Sequence, residues 1–348
     1  MKKIAYIEID THAEIAQNFM EIMGDSEEFA VDYYFSQKIK KQITCDDESV
    51  FLSDNSMILE QLKTQKYDFI IVGTVHRYFN TFQTIAEKYH SVFIVHNINF
   101  TKISKLDLIK NIFKEDIIYR LKLWWKESLF YTSKAYAKAK NLLVLDEELV
   151  SNHYHFLPIF YTKNDTKTES EILTVVIPGG VSQKRRDYNH IFNLIEKIKI
   201  SGNIQFVFLG KANGDELSQL KKLSLNLPEK VAIQYFSERV SPEDFEIWMQ
   251  KADVLWCPIQ EETTFFSQKE IYGKTKMTGN LGDAIKYGKL AVFPENYSSK
   301  LDFILPEEEN ILEQFQALKQ STFDFQTNYN RRIVQKRVEN VLNTLISI

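Results

Sequence analysis

Short, almost uninterrupted apolar runs alternate along the chain with stretches whose apolar residues recur every three or four positions. Residues 4–9, 30–35, 68–73, 91–96 and 141–145 are runs of the first kind, and 13–23, 55–64, 79–89 and 105–140 have the helical period. Strands that are apolar on both faces belong in a parallel sheet covered by helices on each side. The alternation stops at 156–170, where an extended piece around Pro158 runs into the polar, irregular 162–170. It then restarts, with strands expected at 172–177, 204–209, 231–235, 253–256 and 290–293. Helices are expected at 188–200, 216–224, 242–250 and 279–287. The fold class read from this pattern is α/β, with two Rossmann-like, doubly wound parallel-sheet domains facing each other across a cleft. The boundaries fall at 1–158 for the first domain, 159–170 for the linker and 171–326 for the second domain. In 327–348, Ile333, Val334, Val338, Val341, Leu342 and Leu345 recur at helical spacing. That helix either closes the second domain or crosses back to the first.

Open parallel sheets bind ligands beyond the carboxyl ends of their strands, so chemistry is expected after Ile9, Val72, Val95, Ile177, Leu209, Tyr235 and Trp256. In the first half these loops carry His12 and Glu14, then His76, then His96. Histidine titrates near neutrality and suits general acid–base work. His12 or Glu14 is the candidate general base, and a structural role is the alternative for each histidine taken singly. In the second half the first strand ends in Pro178-Gly179-Gly180-Val181-Ser182-Gln183-Lys184-Arg185-Arg186. Two glycines permit a tight turn and close backbone approach to a ligand. Cations at a helix start oppose the helix dipole unless an anion lies between them, and arginine grips phosphate with two hydrogen bonds. Gly179, Gly180, Lys184 and Arg185 are therefore candidates for an anion site, with a solvated basic turn as the alternative. Gly210, in the loop after Leu209, joins them. Lys274, Lys276, Gly279 and Asp283 form a third group. Two lysines lead into a helix whose free N–H groups can face a phosphate, and a carboxylate one turn further in can accept from ribose hydroxyls. An ordinary surface charge near a helix start is the plainer reading of Asp283.

Composition narrows the function classes. The 348 residues suffice for two cores, and 44% hydrophobic with 26% charged residues is ordinary for a globular protein. A net charge of −4 argues against nucleic acid as the main partner. Cys45 and Cys257 lie far apart with no metal-ligand spacing, as expected of a reducing compartment. The start of the chain reads as a first strand rather than a signal peptide, because Glu8 and Asp10 interrupt the apolar run. No apolar stretch approaches the roughly 20 residues that span a bilayer. A cytoplasmic protein is expected, needing no cofactor and, without an Asp-x-Asp motif, no metal. Segment 105–140 stands apart, with nine Lys/Arg against four Asp/Glu and with Ile109, Ile112, Phe113, Ile117, Leu121, Trp124 and Trp125 near helical spacing. A basic helix with aromatics can lie on an anionic membrane surface, which would make the protein peripheral on the inner face of the membrane. A core-facing helix with a solvated basic face is the alternative.

The run Phe236-Ser237-Glu238-Arg239-Val240-Ser241-Pro242-Glu243-Asp244-Phe245, then Trp248, then Ala252-Asp253-Val254-Leu255-Trp256-Cys257-Pro258, resembles the carboxyl-terminal domain of GT-B glycosyltransferases. In the retaining, family-four-like members such a segment leads to an Ala-Asp-Val strand, a proline and an acidic donor loop. Asp283-Ala284-Ile285-Lys286-Tyr287-Gly288 is similar to the Glu-Ala-Met-Ala-x-Gly that follows there. The likeness covers 172–295; the first half matches mainly in strand–helix order. It implies two Rossmann-like domains with a nucleotide-sugar donor in the cleft, its diphosphate held by Arg/Lys and helix N-termini without an obligatory metal. It places Asp283 at the ribose, Lys184 and Arg185 at the diphosphate and His96 at the donor sugar. The acceptor implied is a hydroxyl of a glycan or lipid-linked intermediate. The first of the family's two donor-loop glutamates falls at Thr275, so that carboxylate is missing. A nucleotide-sugar epimerase on the same fold, or a non-catalytic nucleotide-sugar-binding protein of a glycan-assembly complex, stays open as an alternative.

Overall fold

The computed structural model of the chain describes residues 1–44, 48–163, 170–198 and 202–347. Cys45, most of the polar linker stretch and the last residues expected in the 188–200 helix lie outside them. The first half forms a seven-stranded, all-parallel sheet of β1 (Lys2–Glu8), β2 (Phe29–Phe35), β3 (Val50–Leu52), β4 (Phe69–Val72), β5 (Ser91–Ile94), β6 (Asn141–Val144) and β7 (Tyr154–Phe156). Their order is β3-β2-β1-β4-β5-β6-β7. Helices α1 (Ala13–Met23), α2 (Gln37–Lys40), α3 (Ile58–Gln61), α4 (Phe79–Lys88), α5 (Ile98–Thr101), α6 (Lys105–Ile112), α7 (Ile117–Glu127) and α8 (Thr132–Lys138) connect them. Ile4, Tyr6 and Ile71 face one helical layer, while Ala5, Ile7, Ile70 and Val72 face the other. The period-two split explains why these strands read as continuous apolar runs: both faces are covered.

The second half repeats the plan with β8 (Leu173–Pro178), β9 (Ile204–Lys211), β10 (Val231–Phe236), β11 (Val254–Trp256), the hairpin β12 (Glu262–Phe265) and β13 (Gln268–Ile271), β14 (Ala291–Phe293) and β15 (Ile304–Pro306). The parallel sheet runs β10-β9-β8-β11-β14-β15, the same winding as the first. Its helices are α9 (Tyr188–Glu196), α10 (Gly214–Leu225), α11 (Pro242–Lys251), α12 (Gly279–Tyr287), α13 (Ile311–Gln320), α14 (Gln326–Tyr329) and α15 (Arg331–Ser347). Strand order reverses between β1 and β4 in one sheet and between β8 and β11 in the other, and crevices for ligands form at such switch points.

Besides the strands β3, β7 and β15 and the helices α2, α5, α13 and α14, which the sequence pattern did not announce, two further features depart from it. Segment 105–140 is not one helix: Asp116 and Ser128 adopt left-handed backbone (φ 48° and 57°), which cuts it into α6, α7 and α8. No glycine or proline announces either break. The β12–β13 hairpin was not expected either, because its strands lack an apolar alternation.

Two of the connections between the sheets lie at α15 and at the connecting segment. Helix α15 lies on α1 of the first half, where Val334, Val338, Leu342 and Leu345 enter the core beside Phe19, Ile22 and Met23. Arg331 pairs with both carboxylate oxygens of Asp25 at 2.7 and 2.9 Å along its edge. Phe160 of the connecting segment packs on α12, and a Cβ on Gly282 would stand 2.6 Å from its ring. Glycine is needed there for the chain to cross the helix so closely.

Candidate functional site

The loops at both switch points meet across the cleft. At the end of β1, fully buried Glu8 accepts hydrogen bonds from the backbone N–H of Asp10 (3.0 Å) and Thr11 (3.3 Å) and from the Thr74 hydroxyl (2.6 Å). One carboxylate thus ties the loop after β1 to the loop after β4. Burial raises its pKa, and the hydrogen bonds hold it partly back. Gly73 is required beside it, since a Cβ would sit 2.6 Å from Glu8 Oε2.

That bracing brings the three candidate histidines together. The His12 ring stacks on His96 with centroids 3.9 Å apart and planes 17° from parallel, and His76 stands edge-on to both at 6.1 and 5.6 Å. His96 Nε2 lies 2.8 Å from the Gly73 carbonyl, so that nitrogen carries the proton. His76 Nε2 lies 3.2 Å from the Asn97 amide nitrogen, a bond that leaves His76 Nε2 unprotonated. Burial pushes both His76 and His96 well below the usual imidazole pKa, in keeping with neutral rings. His12 Nδ1 is 2.9 Å from Glu14 Oε1. Crowding by protein alone would raise the Glu14 pKa, but the hydrogen bond and charge of His12 outweigh it and lower the pKa. Glu14 nevertheless remains open to water, with two-thirds of its side chain exposed. It lines the wall of an open cleft rather than a sealed core.

The second half supplies the facing wall. Gly179 has φ +100°, and the Arg186 guanidinium occupies the space a Cβ there would need. Arg186 donates to the Asn280 side-chain oxygen (3.1 Å) and to the Gly180 carbonyl (3.4 Å). Asn280, in the first turn of α12, donates to the Pro178 carbonyl (3.2 Å) and to Asp283 Oδ2 (3.3 Å). The glycine turn, the cation and the start of α12 are therefore one assembly. Arg186 Nε is buried without a protein partner. Thr278 caps α12 by accepting from the Asn280 N–H, while the space around Gly279 and Gly180 is open. Burial raises the Asp283 pKa to about 6; Lys286 and Arg186 act against it, and Glu14 across the cleft adds to it. Lys276 Nζ donates to Asn97 Oδ1 at 2.6 Å, and burial pushes the lysine down to about 8.

The structure brings His12, Glu14, His96, Lys276, Asp283, Gly179 and Gly180 to this cleft. Lys184, Arg185 and Lys274 are exposed, with Arg185 close enough to Lys276 to oppose its charge. Gly210 has a packing role toward the site: a Cβ there would collide with the Gly179 carbonyl, so its smallness lets the Gly179 turn close down on β9. Four residues escaped the sequence reading. Arg186 stands third in a row of like cations that spacing cannot tell apart. Asn280 and Asn97 each sit one position beyond a candidate, Gly279 and His96. Glu270, on the hairpin, had no local signal at all. Among the described residues no group of three or more His, Cys, Asp or Glu is placed to hold a metal ion. Chemically, the cleft offers cations and a helix start to an anion, a carboxylate that accepts hydrogen bonds, and a His12–Glu14 pair that can take up a proton.

No protein-family model matches the sequence, and no curated protein matches it. Solved structures do. The apo lipopolysaccharide outer core galactosyltransferase WaaB aligns over 98% of this chain and 99% of its own, with a TM-score of 0.56 at 10% identity. HepE from Anabaena, solved with UDP-glucose, aligns over 99% of this chain and 100% of its own, with a TM-score of 0.56 at 10% identity. The UDP-GlcNAc 2-epimerase of Methanocaldococcus jannaschii aligns over 98% and 99%, with a TM-score of 0.52 at 11% identity. At such identities the likeness establishes the fold, which is GT-B.

Proposed function

We propose that the protein is a glycosyltransferase that moves a sugar from a nucleotide-sugar donor to a hydroxyl of a glycan or lipid-linked acceptor, in surface polysaccharide or glycoconjugate assembly. The observation that carries this reading is the convergence of the Gly179–Arg186 turn and the α12 start with the His12–Glu14–His96 group of the opposite domain. Arg186, Arg185 and Lys276 neutralise the departing diphosphate, where charge develops most, so preorganised cations there contribute most of the electrostatic stabilisation. Asp283 holds the ribose, His96 the sugar, and the His12–Glu14 pair takes the acceptor proton. The position of the family's first donor-loop glutamate is filled by Thr275, whose hydroxyl accepts from the Ile271 N–H at 2.8 Å and shapes a turn instead. With no carboxylate there, inversion with the His12–Glu14 pair as base is the better-supported course.

The acceptor partner follows from α7. Its outer face exposes Ile118 (88%) and Trp125 (91%) beside Lys122 and Lys126, and Phe113 of the preceding turn is also exposed. No helix among the described residues is long and apolar enough to cross a membrane. A basic, aromatic face of this kind supports peripheral docking on an anionic bilayer, where a lipid-linked acceptor would be met.

The test is thermal unfolding with a panel of nucleotide diphosphates and nucleotide-sugars. A specific donor at a hundredfold excess over its dissociation constant stabilises by roughly 2.7 kcal/mol. Arg186→Ala and Arg185→Ala are expected to weaken binding tenfold or more. No response to any nucleotide would sink the reading. The epimerase alternative, which the likeness to the M. jannaschii enzyme supports, predicts an epimerised donor with no sugar transferred.

A further inference from the structure

The β12–β13 hairpin leaves the second domain and packs its half-buried tip against the first. Its strands pair Glu262 with Ile271 through Phe265 with Gln268, so only Phe266 and Ser267 make the turn, both left-handed at φ 51° and 55°. Two-residue turns of this hand favour Asn and Gly, and a Phe–Ser pair is strained in them unless something outside the hairpin holds it. The holder is the inner face of α6 and α7. Buried Arg120 donates to Ser267 Oγ at 2.7 Å and lies over the Phe266 ring at 4.7 Å, and Asn111 donates to the Phe266 carbonyl at 2.9 Å. Phe265 then packs on His76 at 4.4 Å and edge-on to Phe100 at 4.8 Å.

Further along β13, Glu270 is fully buried in the other domain's structure. Its two oxygens accept the backbone N–H groups of Asn99 (3.2 Å) and Phe100 (2.9 Å), and the Ile98 N–H donates to the Thr275 carbonyl at 2.9 Å. This pins the loop that carries His96 and Asn97 to the strand that leads to Lys276, whose ammonium bonds Asn97. The chain of contacts runs from Arg120 through the hairpin turn and Glu270 to the Asn97–Lys276 bond.

We propose that Arg120 and Glu270 are positioning residues, which hold the hairpin as a clasp between the domains and thereby set Lys276 and the 96–100 loop in register across the cleft. The claim about Lys276 rests on the donor-site reading above; the clasp itself does not.

Hydrogen–deuterium exchange on the full chain, without ligand, reads the clasp. Arg120→Met and Glu270→Gln should each speed exchange at the Asn99 and Phe100 amides tenfold or more, with β1, β4 and β8 unchanged. Arg120 touches neither amide, so a merely local role would leave them protected in Arg120→Met, and that result overturns the proposal. If Arg120→Met loosens β1 and β4 as well, Asn111→Ala is read in its place. It removes one neutral hydrogen bond to the same turn, and the same local rise supports the clasp while no rise overturns it. Titration with UDP reads the second half: affinity should fall at least threefold in Arg120→Met and recover in Arg120→Lys. Wild-type affinity in a variant with a loosened clasp overturns the positioning of Lys276. Failure of the wild type to bind any nucleotide would instead remove the donor reading and leave the exchange result standing.

Discussion

Asp283 should weaken the fold at neutral pH in proportion to its use. Burial at the start of α12, with Glu14 opposite, moves its pKa from 3.8 to about 6. Lys286 and Arg186 only partly compensate. A folded-state pKa raised above the unfolded one means that the folded chain holds its proton longer, so the contribution to stability falls as pH rises through this window. Linkage gives a penalty of about 1 kcal/mol at pH 4.5, growing to about 3 kcal/mol at pH 7.5. Asp283→Asn keeps the shape and an oxygen for Asn280 but has nothing to ionise. Its unfolding free energy in urea, relative to wild type, should therefore rise by about 2 kcal/mol between pH 4.5 and 7.5. At pH 7.5 the same variant should bind UDP at least tenfold more weakly, having lost the charged acceptor for ribose hydroxyls, which is worth about 1.4 kcal/mol or more. A stability difference that is flat with pH, or a variant less stable than wild type at pH 7.5, would refute the partly buried, ionised carboxylate. Greater stability with unchanged UDP affinity would refute its role at the ribose.

Two further outcomes follow from packing and exposure. Gly210→Ala drives a Cβ into the Gly179 carbonyl, so it should cost about 1–3 kcal/mol in urea unfolding and weaken UDP as the Gly179 turn is displaced; normal UDP affinity would show that the turn does not touch donor. Ile118→Ser with Trp125→Ser removes two side chains that are 88% and 91% exposed. It should reduce partitioning onto phosphatidylserine vesicles at least tenfold, since inserting one such side chain contributes about 1.5–3 kcal/mol. UDP binding should be unchanged, and undiminished partitioning would refute the docking face.

The sheets were legible because each buried strand carries its own signal. Residues 4–9 or 91–96 are apolar on both faces whatever surrounds them, and the switch-point rule then locates His12, His76, His96 and Gly179 without any contact being known. The same logic fails where a residue's environment is supplied by the other domain. Strands β12 and β13 read Glu-Thr-Thr-Phe and Gln-Lys-Glu-Ile, with no period-two apolar pattern, because the hairpin is stabilised by Arg120 and Asn111 about 150 residues earlier. Glu270 reads as a solvated charge and is in fact one of the most deeply buried carboxylates in the chain. Helix α7 shows why the sequence left two readings of 105–140 open. Its apolar period is real, but Arg120, Leu123 and Glu127 face inward while Ile118 and Trp125 face out, since Glu127 is needed to hold Arg77 at 2.8 Å beside Asp10. Periodicity reports that a helix has two faces, and only the partner decides which is covered. For the hairpin the partners that decide are polar, buried and contributed across the cleft, which is why the residues governing domain register are the ones that local sequence conceals.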